Sequence, residues 1–478
     1  MNTLVIFVGL YLLVSVAIGL YAARKVHNSS DYANAGRSLP LYIVIATVFA
    51  TWFGSETVLG IPAKFADHGL RGVIEDPFGA SLCLIFVGLF FARKLYRMNL
   101  LTIGDYYKLR YNRAVEIIVS LCIVISYLGW VAAQITALGL VFNVLSQGAV
   151  SNANGMMMGA AIVLVYTLFG GMWSVALTDF FQMTIIVTGM VYIAYIVSGM
   201  AGGAHVVIAH AADAGKLVFW PALTAAELLA FAGAAVTIMF GSIPQQDVFQ
   251  RVMSARTETI SMAGAVAGGS LYFIFAFVPM YLAYSAQLID PAMFASLIRD
   301  DAQMILPTLI LNHMPLAVQI LFFGALLSAI MSTASGTLLA PSITLTENIL
   351  REFIPMSDRQ LLLATRVVVV CFTIAVTGFA LASQGMPIYE MVGNAYKVPL
   401  VGAFIPLVAG LYWSRATTQG ALVSVVSGLA SWLLMENFGA DSIWPPQLVG
   451  LLVAFAGMLL GSLMPQLPQL QKPQAVVV

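Results

Sequence analysis

Two long apolar stretches of this chain are broken at their middles by glycine, proline and polar residues. The first break reads Phe53-Gly54-Ser55-Glu56-Thr57, with Gly60 and Pro62 just beyond it. The second reads Phe240-Gly241-Ser242-Ile243-Pro244-Gln245-Gln246-Asp247. A helix interrupted inside a bilayer exposes backbone groups that lipid cannot satisfy. Such breaks persist only where they are buried in protein or line a wet cavity. A matched pair, one in each half of the chain, is the pattern of a carrier that binds its cargo near the membrane midplane.

Composition supplies the membrane. The chain is 60% hydrophobic and 9% charged, where soluble domains carry about 25% charged residues. Formal net charge is zero, so no basic surface points to nucleic acid. The three cysteines, Cys83, Cys122 and Cys371, fall in apolar stretches without metal or redox spacing and read as packing residues. The five histidines lie outside the spans, also without metal spacing, so an enzyme finds no support.

At about 20 apolar residues per crossing, the chain holds about thirteen spans and reads as an all-α polytopic protein. Lys and Arg fall mainly into alternate loops, among them Arg24, Arg93, Arg110, Arg251, Arg351, Arg415 and Lys472, and only Lys64, Arg71, Lys216 and Arg299 into the others. That asymmetry predicts an outer N-terminus and a cytoplasmic C-terminus. Arg24 and Lys25 follow the first segment rather than precede it, so it is expected to be a retained helix. The broken segments are the second and seventh spans, and five spans begin with each. Five is odd, so the second set enters from the opposite side, as in inverted-repeat carriers. The predicted organisation is an extra helix and loop at 1–40, a first repeat at 41–200 and an outer linker at 201–226. A second repeat at 227–413 and two further helices with a tail at 414–478 complete it. The loop at 288–315 has room for a short helix, and the tail beyond Pro465 is expected to be disordered.

Several residues can carry chemistry. Ser328, Ser332 and Ser335 share one helical face. They fit close helix packing, and equally an oxygen site for a hard cation, with the break around Ala50 to Gly54 supplying carbonyls opposite. Asp179 is either an ion relay within the membrane or an interfacial residue. Glu56 either attracts a cationic solute or caps the restarted helix. Tyr127, Trp130 and Gln134 lie on one side of a long helix, as core or as solute wall, and an aromatic wall suits an amine through cation–π attraction. Gln245 and Gln246 are candidate solute ligands. Asp247 reads as interfacial, four residues before Arg251. Glu390 and Lys397 form either a structural ion pair or a gate.

Three segments carry a family likeness. They are Tyr166-Thr167-Leu168-Phe169-Gly170-Gly171 running on to Thr178-Asp179-Phe180-Phe181-Gln182, the run from Gly241 through Gln250-Arg251 to Ala255, and the serine-rich stretch 328–337. In these the chain resembles the sodium:solute symporter family, with some likeness to its high-affinity choline-carrier branch. The resemblance spans about residues 41–413. It implies a leucine-transporter-type 5+5 inverted repeat with discontinuous first and sixth core helices, and Na+ as coupling ion. It places the main Na+ site at the carbonyls of Ala50, Phe53 and Ala329 and the hydroxyls of Ser332 and Thr333. A second Na+ site or release path maps to Asp179 and Ser335, but Gly336 stands where those members have a hydroxyl. Trp52 replaces the aspartate of the proline carriers.

The expected function is symport of Na+ with a small organic solute, an amino acid or other small nitrogenous compound, into the cell by alternating access. The lipid of a plasma or inner membrane would be its other partner. A proton-coupled carrier on the same fold and a transporter-like sensor are the alternatives. The joint substitution Ser332→Ala and Thr333→Ala is expected to abolish the Na+ dependence of uptake. Unchanged dependence would remove the site assignment.

Overall fold

The computed structural model describes residues 3–439 and 442–467. Lys472 and the stretch 468–478 of the expected disordered tail lie outside them. Among the described residues, ten helices are long and apolar enough to cross a membrane. An eleventh span is a bent pair, angled at 49°, and two shorter apolar helices, Leu41–Trp52 and Asn152–Val165, take the remaining places. The expected outer helix between 288 and 315 appears as Pro291–Asp300 and Ile305–His313.

Helix α1 (Thr3–Ala22) shows how lipid shapes the exterior. It buries Leu4, Val8, Leu12, Ser15 and Gly19, one stripe at helical spacing. Ile6, Phe7, Leu10 and Leu13 on its other sides are exposed. In water this would be an aggregation surface, whereas against acyl chains it is ordinary outer wall.

The first broken span consists of α2 (Leu41–Trp52) and α3 (Ile61–His68), joined through residues 53–60. A continuous helix would carry the Gly54 N–H back to the Ala50 carbonyl. Here Gly54 N–H donates to the Trp52 carbonyl instead, at 2.8 Å. Long α4 (Arg113–Leu145) follows, its N-terminus capped by Asn112. In α5 (Asn152–Met200), Gly171 adopts φ 50° and divides the element into two spans. The second broken span is α6 (Ala225–Gly241) followed by α7 (Gln246–Met253). Pro244 has no N–H for the Phe240 carbonyl, which accepts from Ile243 at 3.3 Å instead. Three further helices border the breaks: α8 (Glu258–Phe275), α9 (Leu316–Thr344) and α10 (Ile388–Pro399).

The two broken spans run in opposite directions, and contacts at both ends register this. Leu39, just before α2, donates to Ser254 O and accepts from Arg256 N–H just after α7, both at 3.0 Å. At the other end Arg71, just past α3, lies 3.9 Å from Glu227 at the start of α6.

Three expectations fail. Asp247 is not interfacial: it and Arg251 are both fully buried. Position along a span predicts depth only for a straight helix, and the 49° bend carries α7 into the bundle. Cys371 is exposed on its helix rather than packed. Glu390 and Lys397 do not pair. Seven helical residues span about 10 Å, and each side chain meets a nearer partner, Lys64 at 3.8 Å and Glu436 at 3.5 Å respectively.

Gly171 offers a test of the fold. A Cβ there would stand 2.5 Å from the Tyr32 carbonyl oxygen, on top of the positive φ. Gly171→Val is expected to lower stability by about 1–3 kcal/mol, read as an earlier thermal transition of the detergent-solubilised protein.

Candidate functional site

The first break places oxygens where the ladder no longer uses them. Loss of the Gly54 bond frees the Ala50 carbonyl, which now accepts from the Thr333 hydroxyl of α9 at 3.2 Å. Two oxygens that share one hard cation, each at about 2.3–2.6 Å, stand about 3–3.5 Å apart. Phe53 leaves helical geometry (φ −76°, ψ 72°), which turns its carbonyl away from the ladder. Ala329 is buried one turn before Thr333 on α9. Gly54 permits the approach: a Cβ there would lie 2.6 Å from the Thr333 Oγ1 and 3.0 Å from Gln134 Oε1. The donor set is all oxygen, the ligand type that hard cations take.

Ser332 is oriented from behind. Its hydroxyl donates to Asp179 Oδ1 at 2.5 Å, and Thr47 of α2 donates to Asp179 Oδ2 at 2.6 Å. With its proton committed to a carboxylate, the Ser332 oxygen keeps its lone pairs for a cation. Asp179 is fully buried. Arg251 Nε lies 3.8 Å from it and Arg251 Nη1 lies 3.7 Å from Asp247. Ser335 is not brought to Asp179: its hydroxyl donates to the Ser332 carbonyl at 2.9 Å. Ser328 lies apart from this group and contacts the Tyr11 hydroxyl of α1.

Immediately beyond the ion-type oxygens lies a second cluster. Gln134 accepts from the Ser55 N–H at 3.0 Å and donates to Glu56 Oε2 at 2.7 Å. Glu56 is fully buried, and its Oε1 has no hydrogen-bond partner among the described residues. Trp52, Trp130 and Tyr396 form a triangle of rings with centroids 5.2, 5.3 and 5.2 Å apart. Tyr127 extends it, stacked 5.9 Å from Trp130, and contacts Asp247 through its hydroxyl. Gly241 at the second break lets α10 close in, since a Cβ there would stand 2.5 Å from the Tyr396 carbonyl.

The two glutamines of the second break behave differently from each other. Gln245 donates to Ser126 at 2.8 Å and leaves its Oε1 without a partner among the described residues. Gln246 turns outward from the break, its Oε1 accepting the Ile103 N–H at 2.8 Å. Sequence reasoning missed Tyr396 altogether and noticed Trp52 only as a departure. The available signal was the aromatic at each break-facing position, which periodicity alone does not separate from core.

A cavity of about 500 Å³ lies on the side of Lys64 and Arg299, lined by Asp67, Thr136, Gln303, Tyr389 and Glu390 as well. Gly60 forms part of its floor, one turn from Glu56.

Comparison with known proteins defines the class. A profile described as the sodium:solute symporter family matches residues 32–428. The chain is 26% identical over 456 residues to high-affinity choline transporter 1 of Caenorhabditis elegans, covering 90% of this chain and 77% of that one. It is 27% identical over 456 residues to the Homo sapiens high affinity choline transporter 1, covering 89% and 75%. A solved Na+-coupled sialic acid symporter in a substrate-bound outward-open state superposes with TM-score 0.81 at 19% identity, over 97% of this chain and 98% of that one. The fold is the leucine-transporter-type inverted repeat with two discontinuous helices, and the protein is a Na+-coupled multi-pass membrane transporter of a small-molecule solute, not an enzyme. The chain belongs to the sodium:solute symporter family.

Gly54→Ala tests the close approach at the first break. By displacing the Thr333 hydroxyl it is expected to weaken Na+ activation by about tenfold or more, equal to about 1.4 kcal/mol. Na+ titration of ligand binding or uptake measures it.

Proposed function

We propose that this protein imports a small cationic nitrogenous solute, of the size and charge of choline or a small amine, together with Na+. The observation that carries this reading is the juxtaposition of the Trp52–Trp130–Tyr396 ring cluster with the unpaired buried oxygen of Glu56. Ring faces attract cations, by up to about 2 kcal/mol when desolvated. A buried carboxylate left without a counter-charge is costly, and a cationic solute removes that cost. The choline transporters among the relatives support the same class.

Na+ binds between the carbonyls of Ala50, Phe53 and Ala329 and the hydroxyls of Ser332 and Thr333. The solute binds beside it, against Glu56, Trp130 and Tyr127, with Gln134 holding the carboxylate and Gln245 facing the second break. The two sites share one short stretch of chain, the seven residues from Ala50 to Glu56. Ala50 and Phe53 serve the ion, and Glu56, fixed through Ser55 and Gln134, serves the solute. Ordering that stretch for one cargo therefore prepares it for the other.

The bundle that holds the two broken spans then rocks to expose the site on alternate sides of a plasma or inner membrane, with the N-terminus outside. The cavity beside Lys64 and Glu390 is the outer vestibule. The opposite end is held shut by the hydroxyls of Tyr107 and Tyr111, which donate to the carbonyls of Ala403 and Pro406 at 2.9 and 2.7 Å. The driving force suffices. One Na+ crossing about 100 mV yields about 2.3 kcal/mol. A tenfold gradient adds about 1.4 kcal/mol, together about 500-fold accumulation even of a neutral solute.

A thermal-shift screen of choline, amines, amino acids, sugars and carboxylates, with and without Na+, tests the class. The cationic compounds are expected to stabilise the protein only with Na+ present. Stabilisation by sugars or carboxylates alone would overturn the reading. Trp130→Leu is expected to weaken binding of the active cation about 5- to 30-fold, the loss of about 1–2 kcal/mol of cation–π attraction, and equilibrium binding measures this.

A further inference from the structure

We propose that the guanidinium of Arg251 is a built-in cation occupying the place of a second Na+, so that this transporter binds one Na+ only. This inference rests on assigning the coupling Na+ to Ser332 and Thr333.

Arg251 is among the largest fully buried side chains of the protein. Its guanidinium lies between two buried carboxylates, 3.8 Å from Asp179 and 3.7 Å from Asp247. It makes no hydrogen bond among the described residues, so it is held there by charge and by the shape of the space. Gly336 of α9 makes that space. A Cβ on Gly336 would meet the guanidinium itself, with Cζ and Nη1 each 2.8 Å away and Nη2 closer still. Any side chain at 336, a hydroxyl-bearing one included, would displace Arg251 from Asp179. One residue thus removes an oxygen ligand from the neighbourhood of Asp179 and admits an arginine in its stead.

The remaining oxygens agree. Ser335 directs its hydroxyl to the Ser332 carbonyl, not toward Asp179. Both Asp179 oxygens already accept hydroxyl donors, from Ser332 and Thr47.

Arginine suits the role. Unlike a bound ion it cannot leave, so Asp179 keeps its counter-charge after Na+ is released.

The test is the number of 22Na+ ions bound at saturation per full-length purified transporter, in detergent and without solute. Wild type is expected to bind one. Arg251→Met, which keeps volume but removes charge, is expected to bind two. Arg251→Lys, which keeps the charge, is expected to stay at one. Two ions on wild type would overturn the proposal, whether or not any variant folds. So would a folded Arg251→Met that still binds one. No Na+ on wild type would instead overturn the Ser332/Thr333 assignment, and this proposal with it.

Discussion

Asp179 is the point at which the first broken span, α7 and α9 are held together. Its carboxylate accepts hydrogen bonds from hydroxyls of α2 and α9 and faces the guanidinium of α7, while its own backbone belongs to α5. Four helices thus meet on two oxygen atoms. A buried carboxylate is tolerable only when so surrounded. The same contacts fix the Ser332 hydroxyl in the one orientation that leaves its lone pairs available.

The breaks do their work through displaced backbone bonds rather than through flexibility. Gly54 redirects its N–H to Trp52, which frees the Ala50 carbonyl for α9. One residue later, the Ser55 N–H turns to Gln134, and Gln134 in turn grips Glu56. A freed backbone oxygen and a buried carboxylate are therefore gathered within the seven residues from Ala50 to Glu56. Thermodynamic coupling between two cargoes requires that each favour the same arrangement, and a shared short stretch is a direct means to that.

Much of this was legible from residue order. The breaks at Gly54 and Pro244 were visible because glycine and proline interrupt any helical ladder in the same way wherever they occur. Ser332 and Thr333 stood out as hydroxyls in an apolar helix. Asp179 stood out as a charge within one. The ring cluster was only half visible: Tyr127 and Trp130 share a helix, whereas Trp52 and Tyr396 come from elements far apart in sequence. The pairing of Glu390 with Lys64, and of Lys397 with Glu436, was hidden for the same reason. Helical spacing relates residues on one element and is silent about the element opposite.

Sequence alone determined that this chain crosses a membrane many times, that two of its spans are broken, and that they run in opposite senses. Those conclusions depend on local quantities: apolar length, the missing proline N–H, and the parity of spans between the breaks. Tertiary structure decided what the breaks face. It took Asp247 from an expected interface and Arg251 from an expected loop into the protein interior, because a bend between α6 and α7 redirects the chain without changing composition. It also decided that the room left by Gly336 belongs to Arg251. An absent side chain reads in sequence only as lost chemistry, and the three-dimensional packing shows which group the vacated volume admits.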